Sequence, residues 1–343
     1  MGLQFRDLVV KKEISIKDLK GKVLAIDGQN MLYQFLTTIR GMDGSPLTDS
    51  KGRVTSHLIG LFNRTTALME EGLKLIFVFD GKAPEIKQKT WEKRAAIKAE
   101  ATLKFKEAEE EGKTEEMRKF ASRTAVLTKD MLAEAKKVIS ALGLPIVQAP
   151  SEGEAQATYL VKKGDAYAAI SQDYDTLVFG CPLLVRNLSI SGKKKKTGKM
   201  ALETVKPEII SLKEVLQNLG LNLEQLIVLA ILVGTDYNPG GIKGIGPKTA
   251  LKMVKELPAE EIFKEVEWEK HWPDLDWKTV FKTISEMPVS DDYELKWKNI
   301  DEKELTHLLV EEHDFSAERV KIKLEKLGQE AEVWKQGSLD KFF

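Results

Sequence analysis

Val23-Leu24-Ala25-Ile26-Asp27-Gly28-Gln29-Asn30-Met31-Leu32-Tyr33 changes its period midway. The four leading apolar residues read as a buried strand that stops at an aspartate. From Met31 to Ile39 the apolar residues fall at helical spacing instead. The same alternation recurs downstream. Leu75-Ile76-Phe77-Val78-Phe79 is a second buried strand, ending in Asp80-Gly81, and Ala168-Ala169-Ile170 is a third, followed by Ser171-Gln172-Asp173. Helical patterns fill 54–71, 129–142 and 152–163. Strands alternating with helices imply an α/β fold, a mainly parallel twisted sheet flanked by helices. Ligands of such sheets gather at the carboxyl ends of the strands. Here all three strands end in an aspartate.

Four more acids stand in unusual company. Asp175 is two residues past Asp173, Glu152 and Glu154 fall in Pro150-Ser151-Glu152-Gly153-Glu154-Ala155, and Asp236 closes the run Leu229-Ala230-Ile231-Leu232-Val233-Gly234-Thr235. Clustered carboxylates repel, and desolvating each costs several kcal/mol unless a cation compensates. An oxygen-only ligand set suits hard cations, Mg²⁺ or Mn²⁺. Two such ions about 3.5–4 Å apart are the chemistry of phosphodiester hydrolysis. Each acid taken alone has a plainer reading. Ser151, Glu152 and Glu154 could begin a helix, and Asp27-Gly28 and Asp80-Gly81 could be turns. A phosphatase with an aspartate nucleophile would want a second Asp two positions on, where this chain has Gln29.

Other stretches carry basic groups. Residues 85–111 read as one long charged helix, an excursion between core elements, lined by Lys87, Lys89, Lys93, Arg94, Lys98, Lys104 and Lys106. Residues 191–198, with four lysines, read as a polar loop with electrostatic reach toward phosphates. Gly240-Gly241-Ile242-Lys243-Gly244-Ile245-Gly246-Pro247-Lys248 joins two helical patterns, 221–233 and 247–257. Glycines let backbone approach a phosphate, and Pro247 suits the first turn of a helix whose N-terminus attracts anions. Lys243, Lys248 and Lys252 add charge. Further helices with acidic faces are expected over 258–334. At the end, Leu339, Phe342 and Phe343 are spaced to form one apolar plug on a helical turn, which normally has a partner.

The chain's 343 residues suggest two domains or one large one. With 42% hydrophobic and 31% charged residues, a mainly disordered chain is excluded. No apolar run approaches the roughly 18 residues of a membrane span. One cysteine, Cys181, excludes an internal disulfide, and the four histidines show no metal-ligand spacing. With a polar N-terminal stretch, this leads to the expectation of a cytoplasmic protein. The zero net charge hides an asymmetry: residues 256–332 hold 22 acids and 11 bases, whereas residues 1–255 hold 30 acids and 40 bases. A basic body suits a polyanionic partner, although charge alone leaves a merely mixed surface open.

Together these motifs resemble the flap endonucleases, structure-specific 5′ nucleases, in their archaeal form. The resemblance covers nearly the whole chain and rests on six ordered stretches: 25–33, 77–82, 149–155, 171–175, 234–237 and 244–248. It implies a PIN-like nuclease core, with an N-terminal nuclease region at 1–98 and a helical arch at 85–128. An internal region at 129–257 would include a helix–two-turn–helix at 222–257, followed by a C-terminal helical region at 258–335 and a sliding-clamp-binding tail at 336–343. The implied activity is hydrolysis of DNA at the base of a 5′ flap, with 5′–3′ exonuclease activity, in lagging-strand maturation and base excision repair. The implied ligands of two Mg²⁺ ions (Mn²⁺ as substitute) are Asp27, Asp80, Glu152, Glu154, Asp173, Asp175 and Asp236. Lys87 and Arg94 would steer the scissile phosphate, and Tyr33 would stack on a base. Gly2, Arg40, Thr55, Lys243, Gly244, Gly246, Lys248 and Lys252 would contact DNA. Gly241, Ile242 and Ile245 would offer carbonyls to K⁺. Gln336, Leu339, Phe342 and Phe343 would bind the clamp. The implied protein is a monomer that acts on branched DNA, has no membrane partner and, if archaeal, is nucleoid-associated. The alternatives are a 5′ exonuclease or bubble-cutting repair nuclease, and a non-catalytic DNA-structure adaptor recruited by the clamp.

Overall fold

The structure, a computed structural model, describes residues 3–339 apart from 4, 43, 114, 117–119, 121–123, 189–191 and 196–201; at 89, 91, 93, 94, 106, 109, 192–195, 202–204 and 330–339 it describes the backbone alone. Its strands are β1 (Lys12–Glu13), β2 (Val23–Asp27), β3 (Lys74–Phe79), β4 (Ile146–Gln148), β5 (Ala168–Ile170), β6 (Leu183–Arg186), β7 (Gly192–Lys195), β8 (Leu202–Val205) and β9 (Glu208–Ser211). Seven of them form one sheet in the order β1-β9-β6-β5-β2-β3-β4. The five strands from β6 to β4 are parallel, and β9 and β1 complete the edge antiparallel. The strand order reverses between β2 and β5, and such a reversal opens a crevice beyond the strand ends. The alternating pattern had exposed β2, β3 and β5. It had not exposed β4, β6 or β9. Residues 191–198 also differ from the expected loop: Gly192–Lys195 is a strand, paired antiparallel with Leu202–Val205.

Both faces of the sheet are covered, which is why the interiors of its central strands are continuously apolar, as in Val23–Ile26 and Leu75–Phe79. Leu24, Ile26, Leu75, Phe77 and Phe79 point to one face, beneath α1 (Gly28–Thr38) and α2 (Ser56–Glu70). The charged excursion is helical as expected, with a 3₁₀ turn at Glu85–Lys87 followed by α3 (Gln88–Glu110). At 1.5 Å per residue it is about 35 Å long. The next helix, α4 (Lys129–Ala141), returns to the first face through Ala135, Val138 and Ile139. The opposite face, with Ala25, Ile76 and Val78, packs on Ala157, Leu160 and Val161 of α5 (Gly153–Lys163).

A third apolar cluster gathers α6 (Asp175–Val178), α7 (Leu212–Leu219), α8 (Leu223–Val233), α9 (Pro247–Glu256), α10 (Ala259–Glu265), α11 (Trp268–His271) and α12 (Trp277–Ser285). The expected helical region at 258–335 is interrupted. Residues 287–301 form no helix and run back along the first two clusters as an extended strap. Its backbone lies against α4, with Lys298 N donating to Gly143 O and Asp301 N to Ala141 O, both at 2.8 Å. Trp297 Nε1 donates to Leu75 O at 3.2 Å. Gln156 also bonds both the N–H and the carbonyl of Ser290, so the strap's backbone is tied to the core at both ends. Beyond it, α13 (Glu302–Thr306) and α14 (Ala317–Leu339) pack on the first face, where Lys323 and Lys326 pair with Glu70 of α2. Among the described residues no single helix is long and apolar enough to cross a membrane.

Candidate active site

The seven acids reach one place by different routes. Asp27 ends β2 and caps α1, its Oδ1 accepting from Asn30 N at 3.0 Å. Asp80 follows β3, and its Oδ1 accepts from Gly153 N at 2.6 Å, at the start of α5. Glu152 is the N-cap residue of α5, yet its side chain makes no capping bond. It turns instead to Lys87, whose Nζ lies 2.8 and 3.0 Å from its two oxygens. Glu152 thus begins a helix, as the plainer reading had it, while its side chain serves the site instead. Glu154, in the first turn of α5, accepts from Ser171 Oγ at 2.8 Å and from Thr176 Oγ1 at 3.3 Å. Asp173 accepts from Asn30 Nδ2 at 2.7 Å. Asp175, the first residue of α6, accepts from Leu3 N at 3.2 Å. Asp236, beyond the end of α8, lies 3.3 Å from Lys87 Nζ, and its carbonyl accepts from Thr90 Oγ1 of α3.

The electrostatics record how close these groups are. Burial, then the charge of Asp80, pushes Asp27 well above the usual carboxylate range. Burial and then Asp175 do the same to Glu154. Asp80 is raised to about 6 by burial and Glu152, and Asp175 to about 8 by burial and Asp173. Burial opposes the charge on Lys87, but Glu152 and Asp236 outweigh it and hold the ammonium protonated. A cavity of about 30 Å³ is walled by Lys87, Glu152, Glu154, Asp175, Asp236 and Tyr237, among others. That is close to one water's share of liquid volume. A larger surface hollow of about 690 Å³, lined by Leu212 and Leu216 among others, includes none of the seven acids.

Among the described residues no group of three acids or histidines is drawn tightly enough to hold an ion as the side chains stand. Lys87 supplies the compensating cation for two of the acids. The donor set nevertheless fits hard divalent ions: every donor is a carboxylate oxygen, and the groups repel one another in a place with little water.

Comparison with known proteins decides the family. The XPG N-terminal domain pattern matches residues 3–101, and the XPG I-region pattern matches residues 143–236. Flap endonuclease 1 of Pyrococcus abyssi is 51% identical over 100% of this chain and 98% of its own length. That of Aeropyrum pernix is 49% identical over 100% of both. The chain belongs to the flap endonuclease 1 family. A solved flap endonuclease-1 from Methanococcus jannaschii superposes with a TM-score of 0.75 at 44% identity, covering 96% of this chain and 98% of that one. The catalytic core of Rad2 in complex with DNA substrate, at 23% identity and a TM-score of 0.68, shares the fold.

The remaining flap endonuclease positions fall as follows. Arg94 lies on α3 two turns past Lys87, and its side chain is outside the described residues, as is the whole of Gly2. Tyr33 is exposed on α1, with Lys98 of α3 over its ring at 5.6 Å from the centroid. Arg40 and Thr55 bracket the α1–α2 connection, which is tied by the bridges Arg40↔Pro46 and Thr48↔Val54. His313 closes on the same connection through Asp49 at 3.3 Å. Lys243, Gly244 and Gly246 lie in the α8–α9 turn, and Lys248 and Lys252 on α9. Gln225 Nε2 at the start of α8 donates to Val254 O near the end of α9 at 2.8 Å, so the two helices form a hairpin. Within the turn, Ile242 N donates to Leu232 O, Ile245 N to Ile242 O, and Trp272 Nε1 to Gly241 O. Gln336 and Leu339 fall at the end of α14, while Phe342 and Phe343 lie outside the described residues.

Several supporting groups were not singled out in the sequence. Asn30 links Asp27 to Asp173, and Gln29 accepts from Asp80 N at 2.9 Å. Ser171 and Thr176 hold Glu154, and Tyr237 walls the small cavity. The one available signal was position: Gln29 and Asn30 stand in the first turn of the helix that follows the first acid-ending strand.

Proposed function

We propose that this chain hydrolyses DNA at the junction of a 5′ flap with duplex, as a divalent-metal-dependent nuclease in replication and repair. The observation that carries the proposal is the gathering of seven carboxylates at the switch point of the sheet, two of them paired with Lys87, in a chain of the flap endonuclease 1 family. Two Mg²⁺ or Mn²⁺ ions held by Asp27, Asp80, Glu152, Glu154, Asp173, Asp175 and Asp236 would supply an activated water and stabilise the leaving oxygen.

The chain's own residues do the rest. Lys87 stands at the base of α3, inside the ring of acids, where a scissile phosphate must enter. With Arg94 two turns further along, it stabilises negative charge as it develops on that phosphate. Tyr33 offers an exposed ring for the adjoining base. The α8–α9 turn presents the N-terminus of α9 and the side chains of Lys243, Lys248 and Lys252 to the duplex backbone, and the carbonyls of Gly241, Ile242 and Ile245 suit a K⁺ ion. Gly2, Arg40 and Thr55 contact the DNA near the junction. The tail, with Gln336, Leu339, Phe342 and Phe343, recruits a sliding clamp to a cytoplasmic monomer.

Cleavage of an end-labelled double-flap DNA in Mg²⁺, beside single-stranded, blunt and nicked controls and an EDTA control, tests this reading. One product a nucleotide inside the junction, absent in EDTA and lost in Asp175→Ala while DNA binding survives, is expected. Ladders from nicked or blunt ends would move the assignment to an exonuclease. Binding without cutting would leave a clamp-recruited adaptor.

A further inference from the structure

Asp173 and Asp175 hang on a short stretch, Ser171 to Tyr174, that is neither strand nor helix. Arg186, the last residue of β6, closes over it. β6 runs parallel to β5 with Ile170 level with Val185, which brings Arg186 beside the start of that stretch. Its Nε and Nη2 donate to the carbonyl of Gln172 at 3.1 and 2.8 Å, and its Nη1 meets the Tyr174 hydroxyl. The guanidinium carbon lies 4.0 Å from the centroid of the buried Tyr174 ring. From the other side Glu208, its register partner on β9, approaches Nη1 at 3.7 Å and is itself held by Lys11 at 2.7 Å.

We propose that Arg186 is a positioning residue for metal binding, fixing residues 172–174 so that Asp173 and Asp175 present their carboxylates together. The proposal rests on the metal-dependent reading given above. Two donors on one carbonyl and a guanidinium over the ring constrain the loop in position. Only a guanidinium supplies that combination, since an ammonium is a point donor without a stacking plane. Groups that orient ligands from behind are worth about 10–100-fold in metal affinity. If the residue served only the fold, by neutralising Glu208, then removing that partner would matter equally.

The test measures Mn²⁺ binding to the full chain without DNA, from the free-Mn²⁺ electron paramagnetic resonance signal. Parent, Arg186→Met, Arg186→Lys and Glu208→Gln are compared, with a melting curve for each. Arg186→Met is expected to weaken Mn²⁺ binding about tenfold or more. Arg186→Lys should recover only part of that loss, and Glu208→Gln should bind as the parent does. The Mg²⁺ concentration for half-maximal double-flap cleavage should shift in parallel, with DNA affinity unchanged. If Arg186→Met does not fold, weakened Mn²⁺ binding in a fully folded Arg186→Lys carries the test alone. Parental Mn²⁺ affinity in the arginine variants, or an equal loss in Glu208→Gln, overturns the proposal. A parent that neither binds Mn²⁺ nor cuts a flap overturns the underlying nuclease reading instead.

Discussion

Lys87 Nζ, 2.8 Å from Glu152 and 3.3 Å from Asp236, offsets two charges of a site that holds seven. The rest of the repulsion shows in the carboxylates themselves. Asp80 at about 6 and Asp175 at about 8 keep protons that an unfolded aspartate releases near 3.8. Between those values the native state binds more protons than the unfolded state, so stability falls as pH rises. In EDTA the melting temperature should therefore drop between pH 5 and 8. Asp175→Asn, which removes one of these raised titrations, should drop less. A parental slope in that variant would refute the assignment. Mg²⁺ should flatten the parental slope, since its binding releases the same protons. These acids were legible in the sequence because a charge after an apolar run is costly and conspicuous. Asn30 and Tyr237 were not, because a neutral polar side chain announces no such cost until its partner is known.

At the scale of elements, the α8–α9 turn is set by two glycines that meet. Gly234 (φ +109°) and Gly241 (φ +58°) both occupy the left-handed half of backbone space. A Cβ on Gly241 would collide with the carbonyl of Leu232 and the backbone of Val233 and Gly234. Gly241→Ala should cost about 2 kcal/mol, read as a lower melting temperature, and should weaken duplex binding by moving Lys243 and the start of α9. Unchanged melting would mean that the turn tolerates another path. The glycine run foretold this turn, as the long apolar runs foretold β2 and β3. β4 and β9 escaped notice for physical reasons. Ile146-Val147-Gln148 is too short to show a period, and Glu208-Ile209-Ile210-Ser211 has only two apolar residues between polar ends. Gly192–Lys195 hid for the opposite reason, since three lysines in four residues argue against a strand when only composition is available.

Across the whole molecule, three apolar clusters are bound together by the strap at 287–301, which carries the chain from the α7–α12 cluster back to the sheet. The acidic last quarter is therefore divided between two places, a split that charge counting could not reveal. Leu305, fully buried on α13 against α4 and its neighbours, anchors the returning end. Leu305→Ala should cost about 2–5 kcal/mol, measured by denaturant unfolding. A cost near zero would show the C-terminal helices to be ornamental to the core. The sheet order has another consequence. A cut within 111–128 would assign β1, β2 and β3 to one piece and β4, β5, β6 and β9 to the other. In the order β1-β9-β6-β5-β2-β3-β4 the β2–β3 pair is laced between β5 and β4. The two pieces would stay joined as a noncovalent partnership, one bringing Asp27 and Asp80 and the other the remaining five acids.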